Sequence, residues 1–88
     1  MEATRDSFHA ISDPTRRQMI GLVVEKPLTL NAIAEKFKIT RQDISLQVKI
    51  LEECGLIAIT QRGRGQYCEA RLDGLDEVFL WIEKYKTY

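Results

Sequence analysis

This chain is poor in the residues that catalysis, secretion and membrane insertion require. Of its 88 residues, one is histidine and two are cysteine. No Ser–His–Asp or Cys–His set can be assembled around His9, and no glycine-rich loop has phosphate-cradling spacing, so an enzyme is not expected. His9 has no Cys, Asp or Glu at ligand spacing and reads as a surface residue rather than a metal ligand or a base. Cys54 and Cys68 lie fourteen positions apart, form no CxxC pair, and read as two buried thiols. No apolar run approaches the roughly 20 residues that cross a bilayer. The start, Met1 to Ser7, has no basic region followed by an apolar one, so no secretory signal is expected and the chain reads as cytoplasmic. Internal repeats, low-complexity segments and linkers are also missing, which leaves a single domain over residues 1–88. A domain of this length has a limited core and often gains stability by pairing with another chain.

Excess charge is absent as well, with 13 basic against 13 acidic side chains. Zero net charge counts mildly against a nucleic-acid partner. Its distribution softens the objection: residues 36–71 hold seven basic and four acidic side chains, a local net of +3, while both flanks are negative. Phosphate attraction depends on where the positive field sits.

That basic region contains the stretch around which the chain is organised, Leu28 to Gly55. Leu30, Ile33, Ala34 and Phe37 fall on one face of a helix, with Thr29 ahead as an N-cap. Ile44, Val48 and Leu51 fall on one face of a second helix, which Thr40 and Asp43 open in the manner of a capping box and Gly55 stops. About three residues join them, so the two helices must cross steeply and the second turns its outer face to a partner. That face carries Arg41, Gln42, Ser45, Leu46 and Lys49. Arginine and glutamine make paired hydrogen bonds to base edges, serine bonds to base or phosphate, and lysine suits phosphate. The same residues also suit an ordinary solvated helix face.

The remaining elements frame this unit. Glu2 to Ser12 reads as a short helix whose apolar edge is Phe8 and Ile11, with Thr4 and Arg5 one turn earlier. Asp13 and Pro14 start a second helix sharply, Met19, Ile20, Val23 and Val24 form its stripe with Leu22 nearby, and Pro27 ends it. Arg16 and Arg17 are expected to pair with Asp13 or to touch a phosphate, the structural role being favoured. After Gly55 the period changes to two. Leu56 to Arg62 and Gln66 to Leu72 alternate around a three-residue turn, Gly63-Arg64-Gly65, with Cys68, Ala70 and Leu72 inward. The hairpin tip carries Arg62 and Arg64 between glycines, which suits phosphates or a narrow minor groove as well as plain solvent. Asp73 and Asp76 are expected to cap a last helix from Gly74 to about Lys86. Its stripe is Leu75, Val78, Phe79, Ile82 and Tyr85, with Leu80 and Trp81 beside it. This apolar surface is wider than one small domain needs and suggests a partner helix, the alternative being that Trp81 closes the monomer core. The expected fold class is mainly α with a small β-hairpin, in the order helix, helix, helix, helix, hairpin, helix.

With these residues in view, the chain resembles the ArsR-type winged helix-turn-helix repressors of bacteria and archaea. The matching segments are Ala10 to Arg17, Leu30 to Phe37, Thr40 to Ser45, Lys49 to Ile57, the Arg-Gly-Arg-Gly of Arg62 to Gly65, and Trp81. The resemblance implies a homodimer joined through the first and last helices. It also implies two recognition helices in successive major grooves of double-stranded DNA, flanked by the hairpin wings. Base reading then falls to Gln42, Ser45, Leu46 and Arg41, phosphate contact to Lys38, Thr40 and Lys49, and wing contact to Arg62, Arg64 and Gln66. The dimer interface falls to Phe8, Ile11, Leu75, Val78, Phe79, Trp81, Ile82 and Tyr85.

Three features depart from the family pattern. Asp43 stands where a small residue is usual, and Leu46 and Gln47 stand where a basic or imidazole side chain is frequent. Leu46 could meet a thymine methyl, or mark a protein-interaction module with little affinity for DNA. Metal-sensing members carry cysteines on the first helix of the unit or Asp/His sets on the last. Here Thr29, Asn31 and Ala32 occupy the first region, and the last holds Asp73, Asp76, Glu77 and Glu83 without histidine, so no metal or other cofactor is expected. Finally, Cys54 and Cys68 sit at packing positions, which leaves little room for oxidant sensing. An effector could be a small molecule, a partner protein or nothing.

Overall fold

The computed structural model describes residues 6–88. The elements are α1 (Ser7–Ala10), α2 (Pro14–Glu25), α3 (Leu30–Lys36), α4 (Arg41–Glu53), β1 (Ile57–Arg62), β2 (Gly65–Ala70), a 3-10 turn (Leu72–Leu75) and α5 (Asp76–Lys84). This is the expected winged helix-turn-helix order, with several boundaries moved.

Short-range hydrogen bonds set the helix starts. Asp6, Asp13, Thr29 and Thr40 cap α1 to α4, each side chain accepting from the backbone N–H three residues on, at 3.0 to 3.1 Å. Such a cap contributes about 1 kcal/mol. The sequence predicts the first helix over Glu2–Ser12, of which residues 1–5, Thr4 and Arg5 included, lie outside the described residues. It ends at Ala10 instead of Ser12 because Asp13 precedes a proline and must be extended, at φ −110° and ψ 130°.

At its far end α4 closes with both bonds of a Schellman motif. Leu56 N–H donates to the Leu51 carbonyl and Gly55 N–H to that of Glu52, both at 3.0 Å, with Gly55 at φ +81°.

The core is built from one face of each of α2, α3 and α4 against the hairpin. Met19, Val23, Ile33, Ile44, Val48, Leu51, Leu56 and Ile57 are buried together with Cys68. Each large aliphatic side chain so buried stabilises the fold by about 1.5–3 kcal/mol. Val24, expected in the α2 stripe, is exposed, because the buried line runs through Arg16, Met19, Ile20 and Val23 and leaves it at the edge.

The hairpin register pairs Ile57 with Ala70, Ile59 with Cys68 and Arg62 with Gly65. The turn is therefore two residues, Gly63-Arg64, instead of the expected three. Gly63 takes φ +60° and Arg64 does not, the pattern of a type II′ turn, whose twist matches the strands. An unexpected rung extends the sheet: Leu28 exchanges two backbone bonds with Cys68, at 3.2 and 2.7 Å, and ties the approach to α3 onto β2.

Leu72, expected inward, is exposed: the strand ends at Ala70 and Leu72 already begins the 3-10 turn. The expected Asp73 and Asp76 caps do not form. The 3-10 turn runs straight into α5 and supplies backbone partners, Gly74 N–H donating to Arg71 O and Asp76 N–H to Asp73 O. Ser7 holds α1 against this corner, its hydroxyl donating to Gly74 O and its N–H to Glu77 Oε1. On α5 only Val78 is buried; Phe79, Leu80, Trp81, Ile82 and Tyr85 are exposed, and Trp81 meets Phe8 edge to face at 6.0 Å.

Candidate nucleic-acid interface

The capped start of α4 and its apolar face decide which side chains point outward. With Ile44, Val48 and Leu51 sealed in the core, Arg41, Gln42, Leu46 and Lys49 are exposed and Ser45 is half-buried at the margin. Leu46 is 55% exposed, a large apolar side chain presented in the middle of a polar face. Thr40 and Lys38 are exposed in the turn ahead of α4. The Thr40 oxygen accepts from Asp43 N–H, which leaves its hydroxyl proton to donate outward.

The wing comes alongside. Gln61 donates through Nε2 to Gly63 O at 3.0 Å and braces the turn. Arg64 and Gln66 are exposed. Arg62 is engaged: it pairs with Glu69 and lies 5.9 Å from the Tyr67 ring centroid, so the two tip arginines are not equivalent.

Between wing and helices lies an open groove of about 420 Å³, lined by Thr29, Leu30, Asn31, Arg41, Gln61, Arg64, Gly65 and Gln66. It joins the wing tip, the start of α4 and the start of α3. Two guanidinium groups and several amides face one concavity, a chemistry that suits an anionic backbone. Asn31 and Gln61 were not expected at the site. Asn31 lies two residues past a cap, which alone hints at accessibility; Gln61 had no local signal.

Among the proposed interface residues, Phe8, Phe79, Trp81, Ile82 and Tyr85 are exposed. Val78, 8% exposed, packs within the protomer, and Ile11 and Leu75 are half-buried against its core.

Neither Arg16 nor Arg17 pairs with the Asp13 carboxylate, which caps the Arg16 backbone instead. Arg17 donates to Ile11 O at 2.7 Å, and the Arg16 guanidinium is buried and bonded to carbonyls of the α1 end and to Gln47 of α4. Cys54 and Cys68 are buried. Burial, and after it the Glu52 carboxylate, pushes the Cys68 thiol up and keeps it protonated and unreactive at neutral pH. No helix among the described residues is long and apolar enough to cross a membrane.

This arrangement, two helices joined by a short turn with the outer face of the second exposed beside a basic hairpin, defines a winged helix-turn-helix. A family model described as a helix-turn-helix domain matches residues 11–60. The transcriptional repressor SdpR of Bacillus subtilis (strain 168) is 33% identical over 75 residues, spanning 85% of this chain and 83% of that protein. An ArsR-like transcriptional regulator from Rhodococcus sp. RHA1 superposes with a TM-score of 0.83 at 25% identity, over 88% of this chain and 71% of that one. A winged helix-turn-helix DNA-binding domain from Mycobacterium bovis, homodimeric in solution and a possible ArsR-family regulator, has the same fold: TM-score 0.72 at 20% identity, over 86% of this chain and 70% of that one. The chain belongs to the ArsR-type winged helix-turn-helix transcriptional regulators.

Proposed function

We propose that the chain is a dimeric, sequence-specific repressor that reads double-stranded DNA with α4 and flanks it with the wing. The observation that carries this reading is the division of α4 into two faces, one sealed by Ile44, Val48 and Leu51 and one that exposes Arg41, Gln42, Leu46 and Lys49. Gln42, Ser45 and Leu46 read base edges, with Leu46 against a thymine methyl. Lys38, Thr40 and Lys49 hold phosphates. Arg41 and Arg64 share the groove between α4 and wing, and there they clamp the backbone, with Gln66 beside them and Arg62 in reserve on Glu69. Two copies pair through Phe8, Phe79, Trp81, Ile82 and Tyr85, which sets half-sites about one helical turn, roughly 34 Å, apart. The repressor relative and the homodimeric neighbour support repression and pairing respectively. Selection of bound duplexes from a random pool, with a mass measurement of the free protein, tests the reading. One enriched, two-fold-related sequence and a dimer mass are expected; no enrichment overturns it.

The exposure of Leu46 and the zero net charge favour one other reading, a winged-helix module that docks a protein. A gel-shift titration on random duplex at low salt separates the two. DNA binding gives retarded complexes that dissolve as salt rises, and docking gives none.

A further inference from the structure

Arg16 is the one charged side chain buried among the described residues, at 8% exposure. Among the described residues its guanidinium pairs with no carboxylate and is satisfied by neutral oxygens: Nε donates to Ala10 O at 2.9 Å, Nη2 to His9 O at 3.1 Å and to Ser12 Oγ at 3.4 Å, and Nη1 to Gln47 Oε1 at 2.9 Å. Three of these acceptors belong to the corner between α1 and α2. The fourth is on α4, thirty-one residues away. Desolvating a cation costs several kcal/mol, so a guanidinium is an expensive way to close a corner that a neutral donor could close. What the planar fork adds is reach to two elements at once, in fixed directions.

We propose that Arg16 and Gln47 are positioning residues that set the roll of α4 about its own axis and, given the DNA-reading role above, the base pairs its outer face meets. Ile44, Val48 and Leu51 hold α4 by apolar contact, which is non-directional and permits small rotations. Gln47 lies on the flank of α4 opposite Ser45, beside the sealed line, where one directional bond stops that rotation. The lever is long enough to matter: a roll of about 15° moves a side-chain tip ~6 Å from the axis by about 1.5 Å, and a hydrogen bond stretched that far is lost. Through the His9 and Ala10 carbonyls the same guanidinium also fastens α4 to the short helix whose Phe8 meets Trp81. The reading helix is thus oriented relative to the face proposed for pairing.

The test uses Gln47→Met, which keeps length but removes the acceptor, Gln47→Glu, which keeps an acceptor, and Arg16→Lys, which keeps charge but cannot span both elements. Amide residual dipolar couplings of the DNA-free protein report the orientation of residues 41–53 against residues 14–25. Gln47→Met and Arg16→Lys are expected to rotate the α4 pattern, and Gln47→Glu to restore it. On DNA, Gln47→Met is expected to lower the preference for the parent's selected duplex over unselected duplex by about tenfold, the discrimination one good base contact supplies. Gln47→Glu is expected to recover that ratio. If Gln47→Met fails to fold, Arg16→Lys carries the comparison. Couplings that superpose on the parent's overturn the proposal whatever DNA does. A parent that enriches no duplex ends the DNA reading alone, and the couplings still decide whether this pair orients the helix.

Discussion

Gly74 rests on Gly55 so closely that a Cβ built at position 74 stands 2.6 Å from the Gly55 carbonyl oxygen and 2.7 Å from Leu56 Cδ2. That oxygen is backbone, in the turn that closes α4, and cannot swing aside as a flexible side chain would. The 3-10 turn that leads into α5 is therefore seated on the turn that closes α4. Gly74→Ala forces the two apart and is expected to destabilise by about 1–3 kcal/mol. Urea unfolding at one fixed protein concentration checks it; an unchanged midpoint refutes it.

The sign of the pH dependence at Cys68 follows from its burial. The folded state holds the thiol proton more tightly than the unfolded chain does, because burial first and the Glu52 carboxylate second disfavour the thiolate. Unfolding therefore releases a proton in alkaline solution. The contribution is complete below the free-thiol value of about 8.5 and is lost as pH rises from there through the raised folded value. Cys68→Ala, less stable throughout because of its cavity, is expected to show a shallower decline of stability between about pH 7 and about pH 10 than the parent. Equal slopes would remove Cys68 as the cause.

Trp81 is 53% exposed and touches Phe8 and Tyr85, with ring centroids at 6.0 and 5.2 Å. Trp81→Glu places a charge in the centre of the proposed pairing face, where burial is unaffordable without a partner. Sedimentation equilibrium is expected to find the parent dimeric and the variant monomeric at the same concentration. A parent that sediments as a monomer at millimolar concentration contradicts the pairing assignment.

On DNA, Lys49→Ala and Gln42→Ala should behave differently. The first removes the proposed phosphate contact: binding is expected to weaken on every sequence, and the slope of log affinity against log salt to shrink by about 1. The second removes the proposed base contact: specificity is expected to relax at one base pair by about 1–3 kcal/mol, with the slope intact. Competition binding against single-substituted duplexes, repeated at several salt concentrations, separates the two patterns. If both variants match the parent on the selected duplex, the outer face of α4 is not the reading face.

Glu69→Gln releases Arg62 from its ion pair on the wing. An exposed pair of this kind contributes about 0–1 kcal/mol, so stability should hardly change. Affinity for any duplex should rise, with a steeper salt dependence, as one more cation becomes available to phosphate. Weaker binding by this variant would mean that the pair orders the wing for contact.

The features readable along the chain are those whose causes lie within a few residues. Asp13, Thr29 and Thr40 cap because each side chain reaches a backbone N–H three positions on, and those pairs can be found without knowing what surrounds them. The apolar faces of α3 and α4 follow from a fixed 3.6-residue turn, and from the α4 face its outward complement, Arg41, Gln42, Leu46 and Lys49, follows at once. Leu72 marks where this logic fails. Its period-two position pointed inward, but past the last rung of the hairpin, Arg71 N–H on the Leu56 carbonyl, the chain turns at once into the 3-10 turn that leads to α5, a change of course set by what that turn packs on.

Tertiary packing decided everything that depends on which distant segments meet. Only when β2 lies beside the segment before α3 can Leu28 pair with Cys68. Only when the wing folds over the start of α4 do Arg64 and Arg41 share a groove with Asn31. And Arg16, whose expected structural role was to pair with Asp13, became instead a buried clasp between the α1 end and Gln47. Local hydrogen-bond needs and helical periodicity are written residue by residue; the choice among long-range partners belongs to the packing that excludes water, and it is made by all the segments together.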